Sequence, residues 1–227
     1  MKGQPTAEKA ARGLRSRLER HDPFWGPQLV VAGAIALDFA LPKRLTIGPS
    51  WVLPGLEAPS LVGLVAASPH PRMRHSPLRR RLAISLTALV RAANIVSLFQ
   101  LCNHLLRGHI KNGHELITSG ILLWVTNVLL FGLWYWQLDR GGPVARAMDP
   151  EVYPDFLFPQ MTDPRYAAPD WQPGLVDYLY VSFSNATAFS PTDTMPLSQN
   201  AKWLMSAQSL TALVTIGLVF ARAVNIL

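Results

Sequence analysis

Ser182-Phe-Ser-Asn-Ala-Thr-Ala-Phe-Ser-Pro-Thr-Asp-Thr-Met-Pro196 is the stretch on which the reading of this chain turns. It is short, apolar in part, and rich in small and hydroxyl side chains. It breaks at Pro191, carries one acid at Asp193, and leads into an apolar run that ends at Leu227. In a lipid environment this is the pattern of a re-entrant loop or a broken helix. Irregular backbone at membrane depth is tolerated only where protein buries it or where it lines a water-filled cavity. Function is therefore expected here.

Composition supports a membrane setting. Of 227 residues, 49% are hydrophobic and 15% charged, against about 25% charged in an average soluble domain. The charges fall in blocks. The uncharged windows between them approach the ~20 apolar residues that a spanning helix needs. The formal net charge is +7. Six of the 21 basic residues lie in the first 20 positions, and five more lie between Arg72 and Arg81. Both clusters flank apolar segments, so they are read as orientation signals that touch anionic lipid headgroups, not as a nucleic-acid surface. Cys102 stands alone in an apolar segment, which leaves no intrachain disulfide and no thiolate metal site.

Working outward from 182–196, residues 1–23 form a basic arm and 24–227 a transmembrane domain. Spans are expected over about 25–41, 51–68, 82–106, 116–137 and 201–227. A marginal fifth segment over 175–189 either crosses or dips back. The fourth span closes in Leu133-Trp-Tyr-Trp136, an aromatic anchor at a membrane boundary. Residues 138–173 hold seven prolines and six acids against three arginines. They read as an acidic loop without helical or strand periodicity, packed as a cap through its interleaved aromatic residues. The expected architecture is an all-α polytopic bundle of five to six spans with one short broken or re-entrant segment. The positive-inside rule favours six, with both termini in the cytoplasm.

Two constellations carry the functional expectation. In the first, Ser182, Ser184, Asn185, Thr187, Ser190 and Thr192 line a path, and Asp193 sets cation preference at its mouth. Alternatively, Ser190 to Asp193 is a turn that ends one helix and caps the next. In the second, Asp38, Arg91, Asn94 and Asp177 form an intramembrane polar network. Thr87, Arg91 and Asn94 share one helical face, and Asp38 is the expected partner of Arg91. This network is either a structural ion pair or an anion or proton site. Ser-Leu-Thr-Ala-Leu-Val occurs at both 85–90 and 209–214, a hint of inverted halves. No phosphate loop, HExxH or G-x-S-x-G is present. Neither an enzyme nor a cofactor is expected.

Leu133-Trp-Tyr-Trp-Gln-Leu-Asp-Arg-Gly-Gly142, Asp177-Tyr-Leu-Tyr-Val-Ser-Phe-Ser184 and Ala223-Val-Asn-Ile226 together resemble a bacterial family of integral membrane proteins of unknown function. The likeness covers about the last hundred residues and implies a multi-pass protein of the bacterial cytoplasmic membrane. More remotely, 174–227 resembles the pore hairpin of tetrameric cation channels, which implies a homo-oligomer. Ala188 to Asp193 has no glycine, so this chain departs from the Gly-containing potassium filter. The expected function is channel-like transport of an ion or small solute. The alternative is a membrane scaffold that binds a partner through 138–173.

Overall fold

The Gly113–Leu138 stretch contains no proline and no charge beyond Glu115, and its apolar side chains run around the whole circumference. Such a segment forms a helix that is buried in protein or lipid along its length. The structure, a computed structural model, describes residues 26–40, 113–148, 152–168, 171–187 and 193–226. It contains α1 (Gly26–Ala40), α2 (Gly113–Leu138), α3 (Pro143–Met148), α4 (Leu175–Ala186) and α5 (Gln199–Ile226), with β1 (Phe156–Leu157) paired to β2 (Met195–Pro196). The two strands are antiparallel, with Phe156 opposite Pro196 and Leu157 opposite Met195.

The all-α expectation describes this architecture, but five to six spans is not supported. Among the described residues, two helices are long and apolar enough to cross a membrane, Ile117–Gly141 and Gln199–Ala221. The reason is length. At 1.5 Å per residue the 15 residues of α1 reach ~22 Å and the 12 of α4 reach ~18 Å. Both fall short of a hydrocarbon core of ~30 Å. The expected spans over 51–68 and 82–106 lie outside the described residues.

The contacts between helices set their directions. Along α4, Tyr178, Ser182 and Ala186 meet Asp139, Val128 and Trp124 in turn, so α4 is antiparallel to α2. Tyr178 packs in one cluster with Ala201, Ser182 bonds Gln208, and Ala186 packs with Ala212. Partner numbers rise together, so α4 and α5 are parallel. Gly26 at the start of α1 lies against Leu175 at the start of α4; a Cβ there would sit 3.2 Å from Leu175 Cδ2. Gly33 faces Leu129 in the same sense. Helices α1, α4 and α5 therefore all begin at the end where α2 finishes. This corrects the six-span arrangement, in which 175–189 crosses and α5 returns antiparallel to it.

The α2–α4 contact is close. A Cβ on Gly132 would lie 2.9 Å from Leu179 Cα, nearer than real Cβ atoms come to backbone. Glycine is what lets the two helix backbones touch.

The described residues between 138 and 168 are more structured than their composition implied. After Leu138 the backbone enters left-handed space at three successive residues, Arg140 (φ 52°), Gly141 (φ 77°) and Gly142 (φ 101°). The two glycines adopt this without steric cost, and it stops α2. Pro143 then starts α3, where a missing N–H costs nothing. Farther on, Phe156 and Phe158 turn inward. Phe156 stacks on Tyr135 at 5.0 Å and on Tyr178 at 6.1 Å. Phe158 meets Tyr178 at 5.3 Å and Trp171 at 6.0 Å. Burying a Phe contributes ~2 kcal/mol, and aromatic pairs add ~1 kcal/mol. These contacts offset the cost of ordering a Pro-rich segment and seat it as a cap on the ends of α2 and α4.

Candidate functional site

Two hydrogen-bonded clusters lie along α4. The first joins it to the cap. Asp139, fully buried at the end of α2, accepts from Asp155 N–H at 2.8 Å on Oδ1 and from Tyr178 O–H at 2.5 Å on Oδ2. Arg140 Nε lies 3.4 Å from the same Oδ2. Asp155 returns the bond by accepting from Arg140 N–H at 2.8 Å, which holds the left-handed Arg140 in place. Arg146 donates to the Trp136 and Asp139 carbonyls at 2.6 and 2.9 Å, and its guanidinium lies 5.1 Å from the Tyr178 ring centre. Leu197 N–H donates to Asp155 O at 2.8 Å, which ties in the approach to α5. Burial holds the Tyr178 phenol well above its ordinary range, so it remains a donor to Asp139.

The second cluster joins α4 to α5 and α2. Gln208 Oε1 accepts from Tyr135 O–H at 2.5 Å and from Asn185 Nδ2 at 2.9 Å. Gln208 Nε2 donates to Ser182 O at 2.9 Å and to Ser182 Oγ at 2.6 Å. Ser182 O–H donates on to Val128 O at 2.7 Å. Asn185 also donates to Met205 O and accepts from Ser209 O–H, both at 2.9 Å. Trp124 Nε1 reaches the carbonyl of Ala186 at 3.3 Å, in the last turn of α4.

The expected path residues separate into groups. Ser182 and Asn185 belong to the second cluster and hold helices together. Ser184 O–H bonds back to Tyr180 O, and Thr187 O–H bonds to Ser184 O, both within α4 and its C-terminal cap. Asp193 is exposed just before β2. Ser190 and Thr192 lie outside the described residues.

In the expected intramembrane network, Asp177 accepts from Gly174 N–H at 2.7 Å and so closes the first turn of α4. Burial raises its pKa despite that bond. Asp38 is described by backbone alone, in the last turn of α1, and Arg91 and Asn94 lie outside the described residues.

Sequence reasoning missed Gln208, Tyr135 and Ser209 in the second cluster and Asp139, Asp155 and Tyr178 in the first. A search for uncharged amides within apolar helices, beside the search for ionisable groups, would have raised Gln208. It would also have raised Asn127. That side chain is 1% exposed in the middle of α2, and neither its Nδ2 nor its Oδ1 has a hydrogen-bond partner among the described residues. Thr126 Oγ1 beside it is also buried without one.

The outward sides of α4 and α5 are apolar. Val176, Tyr180 and Phe183 are exposed on α4, and Trp203, Leu210, Leu213 and Phe220 on α5. No protein-family description, curated protein or solved structure matches this chain.

Proposed function

We propose that this chain is a multi-pass protein of a bacterial cytoplasmic membrane that passes small cations along a channel-like hairpin made by α4, the return to β2, and α5. The observation that carries the reading is the parallel course of α4 and α5. Thr187 lies at the far end of α4, yet Met195, eight positions on, pairs with Leu157 at the near end. A helix that enters from one face, with the chain coming back to that face before a long apolar helix, is the layout of a re-entrant hairpin.

Charge supports a cation. The C-terminal end of α4 points away from the cap, and a helix C-terminus carries partial negative charge. Between Arg165 and Lys202 the sequence has three acids, Asp170, Asp177 and Asp193, and no Lys, Arg or His. Ser182 and Asn185 then serve to brace the half-helix, and the path runs past its C-terminal end and Asp193.

The test is uptake of rubidium or sodium into vesicles reconstituted with the full chain. Uptake no faster than into protein-free vesicles sinks the reading.

A scaffold role for the cap rests on one observation, the 93% exposure of Tyr153 beside the folded β1. Capture of a binding partner by the full chain, abolished by Tyr153→Ser while cation uptake is unchanged, would establish it.

A further inference from the structure

We propose that Gln208 is the positioning residue that sets how deep α4 reaches, and through it the place of the helix end that faces the cation; this rests on the channel-like reading above. Gln208 is fully buried in the second third of α5. Its amide offers two acceptor sites and two donor hydrogens, and all four are used. Oε1 takes Tyr135 O–H from α2 and Nδ2 from Asn185 on α4. Nε2 gives to Ser182 O and Ser182 Oγ on α4. The orientation of the amide is set by these partners. Turned over, its nitrogen would face Asn185 Nδ2 and its oxygen the Ser182 carbonyl, donor against donor and acceptor against acceptor.

One side chain on one helix thus fixes two others, and it has no spare site for a substitute partner. A slide of α4 by one residue moves it ~1.5 Å and turns it ~100°. That would bring Val181 or Phe183, which have no polar side-chain atoms, to Gln208 in place of Ser182. The register is therefore discrete. The last turn of α4 follows it, since Asn185 and Ala186 are held by Ser209 and Trp124 only in this register. Leu and Met also pack well between helices, but they accept any register that keeps the surface apolar.

The experiment uses the full chain in phosphatidylcholine–phosphatidylglycerol vesicles, as parent, Gln208→Leu and Ser182→Ala. Two quantities are read: the ratio of rubidium to sodium uptake, and amide hydrogen exchange resolved to α2, α4 and α5. Positioning predicts that Gln208→Leu changes the uptake ratio and speeds exchange in α4 about tenfold, while α2 stays protected. Ser182→Ala, which keeps the Ser182 carbonyl bond, moves both readouts the same way by less. It also keeps the test open should Gln208→Leu fail to fold.

An unchanged ratio overturns the proposal, as does exchange that rises equally in all three helices, because either result makes Gln208 an ordinary packing residue. If the parent passes neither ion, the channel-like reading fails. Exchange in α4 then decides alone whether Gln208 holds the register.

Discussion

Asn185 and Asn127 are the same side chain in two settings, one half-buried and one fully buried, and the contrast between them divides the molecule. On the α4–α5 seam, Asn185 donates to Met205 O and Gln208 Oε1 and accepts from Ser209. On α2, Asn127 is more deeply buried and bonds to nothing among the described residues. A buried amide with partners specifies one arrangement. A buried amide without partners costs ~1–3 kcal/mol of desolvation and specifies nothing by itself. The seam is thus the part whose geometry is fixed by polar chemistry. The Thr126–Asn127 stripe is held, within what is described, by packing.

The same substitution at both sites is the sharpest test of this contrast. Asn185→Leu leaves the Ser209 hydroxyl only its 3.4 Å bond to the Asn185 carbonyl and strands one lone pair of Gln208. It is expected to lower stability by ~3 kcal/mol, read from thermal unfolding in detergent. Gly132→Ala probes the seam's other wall. The new methyl would press on the Leu179 backbone and force α4 off α2, for a loss of ~2 kcal/mol by the same assay. Asn127→Leu is expected to change sign and gain ~1 kcal/mol, since it removes an unpaired amide at similar volume. A loss there would mean that Asn127 has a partner beyond the described residues, and the contrast would dissolve.

The smallest effect is expected far from both sites, at the exposed Asp163–Arg165 pair on the cap. The hydrogen bond from the Arg165 side chain holds the Asp163 carboxyl below its ordinary 3.8. A carboxyl with a depressed folded pKa contributes stability above its unfolded value and loses it as pH falls through the folded one. Asp163→Asn should therefore differ slightly from the parent at neutral pH and merge with it once the pH falls below the depressed pKa of the folded carboxyl. Unfolding curves across that range check it, and a difference that persists in acid would contradict it.

Much of the helical skeleton was legible because it rests on hydropathy alone. The uncharged run over 116–137 and the run after Lys202 appear as α2 and α5. Direction was not legible. Nothing in Leu175–Ala186 says where the next helix begins; the contacts of α4 with α5 and the pairing of Met195 with Leu157 place that start beside the start of α4. The span count failed for a related reason, as apolar runs of 12 or 15 residues pack within a bundle as readily as longer ones cross a membrane. The polar residues at 182–185 drew attention, but their partners did not. Gln208 is a single uncharged residue in a 28-residue helix, and its worth depends on what faces it. Asp139 counted as one acid of an acidic loop, although among the described residues it is the most buried of them and the center of the cap's bonding.

The Asp139 cluster also has a consequence for the order in which the protein is made. The acid emerges 16 residues before Asp155 and 39 before Tyr178, its two closest donors. Until those residues are made, neither carboxyl oxygen of Asp139 can have the closest donor that it has in the folded chain. It cannot be drawn under the cap without leaving a charge poorly paired. The end of α2 is therefore expected to close only after α4 has been synthesised, with Leu197 joining the cap later still through Asp155. Synthesis that halts between Tyr178 and Leu197 would leave α4 tethered to the cap but not yet followed by α5, the helix whose Gln208 fixes its register.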